Sequence, residues 1–406
     1  MSFQQGLSGL NAASKNLDVV GNNVANAGTV GFKESQAQFA DVFANSLAGG
    51  GGVQIGIGTK VATVAQQFTQ GNITVTNSPL DVAINGGGFF RLSQGGTINY
   101  TRNGQFQLDA SGFVVNNNGL NVTGYGATNG ILNSGTPVDL QISTSDLSPQ
   151  ATTQAAALLN LDSRTGTLPA AGFNVNNPNT YHNSTSIGIY DSLGNAHTLT
   201  TYYVKTASNA WSVFAANDGV QIGAGAVGTL NFTSNGAING ATTTLPFNIS
   251  APVATGATTP LAFTLDYTGT TQFGSNFSVN SLSQDGFTSG RLAGFSIAAD
   301  GIIKGPYSNG QTLTLGQMVL ANFTNPQGLQ PLGNNLWAET ATSGVPLVGP
   351  PNTGTLGILQ SSAVEDSNVD LTAELVSMIT AQRVYQANAQ TIKTQDAVLQ
   401  TLVNLR

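Results

Sequence analysis

Residues 367–406 read SNVDLTAELVSMITAQRVYQANAQTIKTQDAVLQTLVNLR and contain neither glycine nor proline. The whole chain of 406 residues, in contrast, has 50 glycines and 14 prolines. Alternate steps of four and three residues through this stretch select mostly apolar side chains, which are Leu371, Leu375, Met378, Gln382, Tyr385, Ala389, Ile392, Asp396, Leu399, Val403 and Arg406. The pattern is the heptad repeat of a helix that packs along another helix.

Both ends of this stretch agree with a helix. Ser367, followed three residues later by Asp370, fits a capping box at the start. Arg406 places a positive charge at the end, where the helix dipole is negative. A helix of this length extends on the order of 55 Å, which is more than one globular core needs, so we expect it to have a partner helix.

Residues 1–26 contain a second stripe with the same spacing. Its seven positions, five of them large and apolar, are Phe3, Leu7, Leu10, Ser14, Leu17, Gly21 and Val24. The stripe predicts a second amphipathic helix. One such helix would usually pack on the core of its own domain, but matched stripes at both ends of a long chain favour another arrangement. They indicate two helices that pair with each other and then with copies of the same chain, as in a filament subunit.

Longer segments resemble a known family. Residues 6–33, GLSGLNAASKNLDVVGNNVANAGTVGFK, are similar to the N-terminal signature of bacterial flagellar rod and hook subunits, and residues 367–393 resemble the C-terminal signature. LDVAINGGGFF at residues 80–90 and YTRNGQF at residues 100–106 resemble the body of the same family. The resemblance covers both ends and roughly residues 70–145, whereas residues 145–285 are assigned by position only.

The resemblance implies a structural subunit of the flagellar hook, a curved, hollow tube that transmits motor torque from the rod to the filament while it bends. The chain would then form a helical homopolymer, with the distal rod, the hook cap, the hook–filament junction proteins and the type III export apparatus as partners. It would lie outside the cell, in the flagellum, after export without a cleaved signal peptide. A distal rod subunit is the alternative within the family, although residues 145–285 add an outer domain that a rod subunit does not need. An extracellular adhesin or glycan-binding β protein is the alternative from another class.

Between the helices, short alternating runs and turn residues predict a mainly β chain with α-helical termini. Val53, Ile55, Ile57, Val61 and Val64 predict a strand, and DSLGN at residues 191–195 predicts a hairpin turn. Residues 32–43 are interpreted as a short buried or helical piece.

The predicted domains are nested. They are a terminal coiled-coil domain of residues 1–30 and 365–406 that forms the inner tube, a connecting segment of residues 31–70 and 355–364, a split β domain of residues 71–144 and 285–354, and an inserted outer β domain of residues 145–284.

Composition excludes several classes of protein. Charged residues are only 8% of the chain, and the net charge is −7, so nucleic acid is not a predicted partner. The chain has no cysteine, which excludes a disulfide scaffold, a thiol nucleophile and a zinc–thiolate site. The sequence shows neither a secretory signal pattern nor an apolar run of about 18 residues, so membrane insertion is not expected.

Few residues in the sequence are candidates for catalysis. His182 and His197 are the only histidines, and Asp191 is near one of them in sequence, but GxSxG, HExxH and EF-hand patterns do not occur. We therefore predict that the chain is not an enzyme and has no catalytic, cofactor or metal site. The predicted functional residues are those of the two stripes, which we expect to form the self-assembly surface: Phe3, Leu7, Leu10, Leu17, Val24, Leu371, Leu375, Met378, Tyr385, Ile392, Leu399 and Val403.

Overall fold

The computed structural model describes residues 2–43 and 56–404. Over these residues the chain is mainly β, with one long helix at each end, which confirms the predicted fold class. The first helix is α1 (Ser2–Ala25), and the second is α2 (Leu371–Asn404). Val53, Ile55 and Arg406, to which the sequence assigned roles, lie outside the described residues.

The backbone divides into two units. The first consists of Met1–Thr144, Gly294–Gly305 and Thr312–Arg406, and the second of Ser145–Ala293 and Pro306–Gln311. The four-part division predicted from the sequence is finer than this and stays a prediction.

Helix α2 begins later than its predicted capping box. The carboxylate of Asp370 accepts hydrogen bonds from the N–H groups of Thr372 and Ala373 at 2.9 and 3.1 Å. Asp370 is therefore the N-cap, and the prediction that Ser367 begins the helix is wrong. The chain before Asp370 stays extended because Asn368 binds backbone instead: it accepts from the N–H of Glu34 at 2.7 Å.

The strands of the first unit fall on both sides of the second unit in sequence. In chain order, those before it are β1 (Ser35–Phe43), β2 (Gly56–Gln66), β3 (Ile73–Val75), β4 (Val82–Asn85), β5 (Phe89–Gln94), β6 (Thr97–Thr101), β7 (Phe106–Leu108), β8 (Val114–Asn116), β9 (Asn121–Thr128), β10 (Ile131–Leu132) and β11 (Val138–Asp139).

The second unit contains ten strands and two short 3-10 turns among its described residues. The strands are β12 (Gln154–Asp162), β13 (Asn183–Tyr190), β14 (Ala196–Ala207), β15 (Ala210–Asn217), β16 (Val220–Gln221), β17 (Gly228–Asn231), β18 (Phe247–Ala251), β19 (Leu261–Asp266), β20 (Thr271–Phe273) and β21 (Ser278–Gln284).

The chain then returns to the first unit. Its remaining strands are β22 (Ser296–Ile297), β23 (Ile302–Pro306), β24 (Thr312–Met318), β25 (Leu320–Asn322), β26 (Gln330–Gly333), β27 (Leu336–Ala338), β28 (Leu347–Gly349), β29 (Ile358–Ser361) and β30 (Ala363–Glu365).

Strands from the two halves of the first unit pair with each other. The main sheet has the order β22-β23-β24-β9-β5-β6-β27-β26, and two smaller sheets pair β4 with β29 and β3 with β30. In every one of these sheets, strands that follow the second unit hydrogen-bond to strands that precede it. The core beneath the main sheet is aromatic: Phe89, Phe323 and Trp337 pack edge to face at centroid separations of 5.7 to 5.9 Å. Both halves are therefore needed to complete this core.

Strands β1 and β2 form an antiparallel hairpin that lies against α1. The side-chain amide of Gln5 donates to the carbonyl of Gly56 at 2.6 Å, and the hydroxyl of Ser8 accepts from the N–H of Thr59 at 3.3 Å. The interpretation of residues 32–43 as a short buried or helical piece is wrong, because β1 pairs with β2 along its whole length and the side chain of Phe39 is exposed. The strand predicted at Val61 and Val64 is confirmed as part of β2.

The second unit is built from two five-stranded sheets, with the orders β18-β19-β12-β20 (with β21 beside β12) and β13-β14-β15-β16 (with β17 beside β15). Its buried core includes Trp211, Tyr203 and Tyr267. The tyrosine hydroxyls lie 3.2 Å apart, and the indole N–H donates to Gln272 at 2.7 Å, so these buried polar groups are paired. The predicted hairpin at residues 191–195 is confirmed between β13 and β14.

A buried cluster of three charged side chains joins distant segments of the first unit. The Lys33 Nζ lies 2.6 Å from one carboxylate oxygen of Glu365, and a guanidinium nitrogen of Arg102 lies 3.2 Å from the other. All three side chains are buried. Lys33 follows α1, Arg102 follows β6, and Glu365 ends β30, so one carboxylate fixes three parts of the chain relative to each other.

Backbone groups complete this cluster. The Lys33 ammonium also donates to the carbonyl of Thr69 at 2.6 Å, Arg102 donates to the carbonyl of Gly86 at 2.8 Å, and the N–H of Gly71 donates to Glu365 at 2.9 Å. Burial lowers the pKa of Lys33 and the pKa of Arg102, and the negative charge of Glu365 opposes both shifts. Without Glu365, two buried cations would lose their counter-ion.

We predict that Glu365→Gln destabilises the first unit by about 3–5 kcal/mol, because removing one partner leaves buried charges unpaired. The two tryptophans make the measurement specific, since Trp337 is in the first unit and Trp211 is in the second. Denaturant unfolding followed by fluorescence in a Trp211→Phe background therefore reports the first unit.

The matched control is Asp18→Asn, which removes the exposed Lys15–Asp18 pair of α1. Such a surface pair contributes about 1 kcal/mol or less. If Glu365→Gln changed the free energy of unfolding no more than Asp18→Asn, the cluster would not have the structural importance assigned to it.

Candidate functional site

The two terminal helices lie antiparallel and in close contact. A β-carbon added to Gly6 would lie 3.1 Å from the side chain of Ile392, and one added to Gly9 would lie 2.6 Å from Asn388. At the other end of α1, the side chain of Asn23 donates to Glu374 at 3.3 Å. The face of α1 that meets α2 is therefore made of small residues, which let the two helices approach closely.

The predicted stripe on α1 is a neighbouring face, and most of it stays accessible. Phe3 and Leu7 are 45% and 44% exposed, while Leu10, Leu17 and Val24 are half-buried. The contact with α2 uses Gly6, Gly9 and Asn23 instead, and the buried residues Ala13 and Val20 lie on the same side of the helix. These positions repeat at intervals of three, four and seven residues, which is the spacing of one helix face. This face lies next to the face that carries the predicted stripe.

The predicted stripe on α2 divides in a similar way. Ile392 contacts α1, and Met378 is half-buried. The other predicted side chains of α2 are exposed, and the exposed fraction is largest for Val403, at 74%. They are Leu371, Leu375, Tyr385, Leu399 and Val403. The structure thus brings Ile392 to the first helix and leaves most of the stripe without cover from the described chain. The role of these residues in self-assembly stays a prediction.

Sequence reasoning missed four further exposed apolar residues of α2. Val376, Ile379, Val384 and Val398 are between 47% and 60% exposed. They lie one position from members of the predicted stripe, so the apolar surface is wider than a single heptad seam. A search for a broad apolar face instead of a narrow one would have found them.

A groove runs between the helices and the β1–β2 hairpin. We call it the helix–hairpin groove; its volume is about 530 Å³, and its apolar lining includes Ala12, Ala13, Phe39, Val376, Ala381 and Val384. The exposed ring of Phe39 forms part of its wall. The groove and the exposed helix faces together make an apolar surface on the helical end of the first unit.

A polar junction fixes the helices to the hairpin. The amide of Asn23 donates to the carbonyl of Ser35 at 2.8 Å and accepts from its N–H at 3.0 Å, as a strand partner would. Glu374 is buried beside it. Burial, followed by the charge and hydrogen bonding of Glu374, raises the pKa of Glu34. This junction holds the end of α1, the start of α2 and the start of β1 in one place.

In the second unit, His197 lies between two carboxylates. Its Nδ1 is 2.6 Å from Asp218, and its Nε2 is 3.2 Å from the buried Asp191. Burial alone would lower the pKa of His197, but the hydrogen bonds and charges of Asp218 and Asp191 outweigh burial and raise it. Asp191 also accepts from the hydroxyl of Thr255 at 2.5 Å and from Asn195. The cluster connects loops at one end of the two sheets. Among the described residues, the contacts of His197 do not include a serine in the position of a nucleophile.

Within residues 2–43 and 56–404, His, Asp and Glu side chains form no group of three or more that could hold a metal ion. Neither α1 nor α2, as far as each is described, has the length and hydropathy together that crossing a membrane requires.

Four family models match the chain in succession. They are described as flagella basal body rod protein (residues 3–33), flagellar hook protein FlgE/F/G D1 domain (residues 83–156), flagellar basal body protein FlaE D2 domain (residues 160–287) and flagellar basal body rod FlgEFG protein C-terminal (residues 360–405). The first and last matches contain α1 and α2, and the third falls within the second unit.

Whole proteins match as well. The chain is 44% identical to the flagellar hook protein FlgE of Escherichia coli K12 and 43% identical to that of Salmonella typhimurium LT2, over the full length of both partners in each comparison. It is 32% identical to the FlgE of Borreliella burgdorferi, covering all of this chain and 99% of that protein. Among solved structures, the Helicobacter pylori flagellar hook protein FlgE2 matches 72% of this chain and 100% of its own at a TM-score of 0.56. At 16% identity, that match bears on the fold alone.

We predict that the stability of the second unit falls as pH rises above about 6.5, the ordinary pKa of histidine. The pKa of folded His197 is raised, so the folded state binds more protons than the unfolded state in this range. The contribution is complete below the unfolded pKa and is lost as pH passes the folded pKa. His197→Gln should abolish this fall and lower the free energy of unfolding near pH 6 by about 1.5–3 kcal/mol.

The measurement is denaturant unfolding at several pH values in a Trp337→Phe background, where Trp211 reports the second unit. His182→Gln is the matched control, because burial lowers the pKa of His182 and its loss should leave the fall above pH 6.5 in place. The assignment to His197 is wrong if His197→Gln keeps the pH dependence of the parent chain.

Proposed function

This chain belongs to the family of the flagellar hook protein FlgE, and we propose that it polymerises through its terminal helices into the curved, hollow tube of the hook. It is a structural subunit of the bacterial flagellar hook. The observation that carries the proposal is the apolar surface of α1 and α2, on which Phe3, Leu7, Leu371, Leu375 and Leu399 are each between 44% and 49% exposed. A soluble monomer rarely keeps so large an apolar surface in water.

The energy available from this surface supports polymerisation. Complete burial of one large aliphatic or aromatic side chain contributes about 1.5–3 kcal/mol before the loss of conformational entropy is subtracted. Predicted residues such as Leu375 and Val403 are not covered by α1, so another copy is free to cover them. We therefore assign the predicted set on both helices to contacts between subunits in the inner tube.

The alternatives are less well supported. Relatives that match along the whole chain are hook proteins, so neither a distal rod subunit nor an adhesin is favoured. The family is one of structural proteins, and we retain the prediction that the chain has no catalytic activity.

Partners and location follow from membership of the family. The protein is part of the bacterial flagellum. We further propose that the hook tube joins the distal rod at one end and the hook–filament junction proteins at the other, that a hook cap assists assembly, and that the subunit passes through the type III export apparatus. Its extracellular location without a cleaved signal peptide is part of this proposal.

We also propose the nested domain plan given above, with residues 1–30 and 365–406 in the inner tube and residues 145–284 outermost. The segments of residues 31–70 and 355–364 would connect the tube to the split β domain of residues 71–144 and 285–354. The support for the outer assignment is that Leu147 and Gly290 pair in the second unit, so residues 145–293 enter and leave that unit at neighbouring positions.

We predict that the double variant Leu7→Gln/Leu375→Gln raises the protein concentration needed for polymerisation about a hundredfold. Each change replaces an apolar contact by an amide, at a cost of about 1.4 kcal/mol or more, which is a factor of about ten. The measurement is sedimentation of polymer over a concentration series, with negative-stain electron microscopy to identify tubes.

The matched control is Gln4→Ser/Gln386→Ser, which changes one exposed polar residue on each helix. A chain trimmed to residues 31–370, which keeps the Lys33–Glu365 pair, should remain monomeric. Curved tubes from the parent chain support a hook subunit, straight tubes would support a rod, and unchanged polymerisation of the double variant would exclude these helix faces as the contact.

A second prediction concerns the outer unit. Replacing residues 148–289 by a short glycine–serine linker is feasible because the N–H of Leu147 already donates to the carbonyl of Gly290 at 2.7 Å. We expect this deletion to leave tubes but to change their curvature or stiffness, since the helices that form the shaft are intact. Curvature is measured on electron micrographs of polymer from the deleted and full-length chains.

The result that contradicts this prediction is loss of all polymer, which would place the second unit in the shaft itself. The chain with the deletion must first be shown to fold as a monomer. Trp337 fluorescence provides that control, because Trp337 remains in the deleted chain.

A further inference from the structure

Helix α2 continues past the point where α1 covers it. Gly6 lies against Ile392, so in the antiparallel pair Ser2 lies near residue 396. Residues 396–404, which we call the α2 tip, extend about 12 Å further. Within the described chain, α1 has no residue opposite them.

Among the residues that the structure describes, none covers the apolar stripe where it continues along the α2 tip. Val398, Leu399 and Val403 are 48%, 49% and 74% exposed. The tip hydroxyl of Thr401 donates to the carbonyl of Ala397 at 2.8 Å, so its polar atom is already paired. Gln400 donates to Asp396 at 3.0 Å, so these polar side chains of the tip bond to each other, and Val398, Leu399 and Val403 remain available for an apolar contact.

The helix–hairpin groove is also largely apolar, so it suits an apolar partner. Three polar side chains in its wall bond to backbone carbonyls: Thr380 donates to Val376 at 2.9 Å, Asn388 donates to Val384 at 3.0 Å, and Thr59 donates to Ala40 at 3.2 Å. Asn16 and Ser377 are the other polar residues of the lining, and the rest of it is apolar or glycine. An apolar partner that contacts the apolar part of the wall would leave these three hydrogen bonds in place, which limits the cost of desolvation.

The groove of a chain cannot be filled by the tip of the same chain. Val384 and Val398 lie on one uninterrupted helix, 14 residues or about 21 Å apart along its axis. An α2 tip that fills the groove must therefore come from another molecule, and the family membership makes a second copy available in the polymer.

We propose that the α2 tip of one subunit packs into the helix–hairpin groove of a second copy, with Leu399 and Val403 against Ala13, Val376 and Val384. This inference rests on the proposed polymerisation. The tip and the groove are separate surfaces of one subunit. The tip of each subunit can therefore pack into the groove of one neighbour while its own groove holds the tip of another. Such a heterologous contact propagates into an open helical polymer, whereas a tip-to-tip contact would stop at a dimer.

The absence of cysteine from the sequence makes a disulfide test direct. Leu399→Cys marks the tip, and Val384→Cys marks the groove. Full-length single variants are mixed, polymerised and oxidised, and the products are separated under non-reducing conditions. We expect a covalent dimer from the mixture and little from either variant alone, because a disulfide forms only when the two Cα atoms are within about 7 Å.

The double variant Leu399→Cys/Val384→Cys should give a ladder of covalent multimers, on the order of tenfold more than Leu399→Cys/Gln386→Cys. Gln386 is an exposed residue of the same helix that does not line the groove. If the first pair prevents polymerisation, Val403→Cys with Thr380→Cys tests the same contact.

Two results overturn the inference while leaving polymerisation intact. One is polymer that gives no ladder with either pair, and the other is efficient dimer formation by Leu399→Cys alone, which would show tip-to-tip contact. If the unmodified chain forms no tubes, the proposed function fails, and this inference fails with it.

Discussion

The carboxylate of Glu365 is the constraint on which the rest of the first unit depends. It is buried between Lys33 and Arg102, which belong to segments far apart in sequence. Gly31 shows how tightly these segments meet: its N–H donates to the backbone carbonyl of Glu365, and its φ of +71° together with the nearby backbone of Asn103 excludes a side chain. Because the segment that follows α1 and the segment that precedes α2 are fixed here, the end of α1 lies close to the start of α2, and the two helices are able to lie side by side.

The division of the helix surfaces follows from residue size. Gly6 and Gly9 lie on the face of α1 that approaches α2, and they bury little apolar area of their own. The large side chains, such as Phe3 and Leu7, point elsewhere and remain exposed. Pairing within the chain therefore uses close backbone approach, and the larger hydrophobic energy is left available for contacts with other molecules.

Local patterns in the sequence predicted the helices, several hairpins and the mainly β class, because these depend on residues close together. The helix start was predicted three residues early, since Ser367 and Asp370 both suit a cap, and only the path set by Asn368 selects Asp370. The sequence could not reveal the Glu365 cluster, whose members are dispersed among ordinary charged residues. It also gave no signal for the helix–hairpin groove, because the groove needs β1, which was interpreted as a buried or helical piece.

The scarcity of charge limits how subunits can recognise each other. The chain has 12 basic and 19 acidic residues, and the buried cluster uses Lys33, Arg102 and Glu365. The exposed pair Arg164–Asp162 is satisfied within two residues of sequence. Charged residues are only 8% of the chain, so we expect shape and apolar contact to contribute more than ion pairs to the register between copies. Apolar contacts have no fixed direction and can slide over small distances at little cost, whereas ion pairs require fixed geometry. Apolar contacts between subunits therefore suit a tube that must bend while it turns.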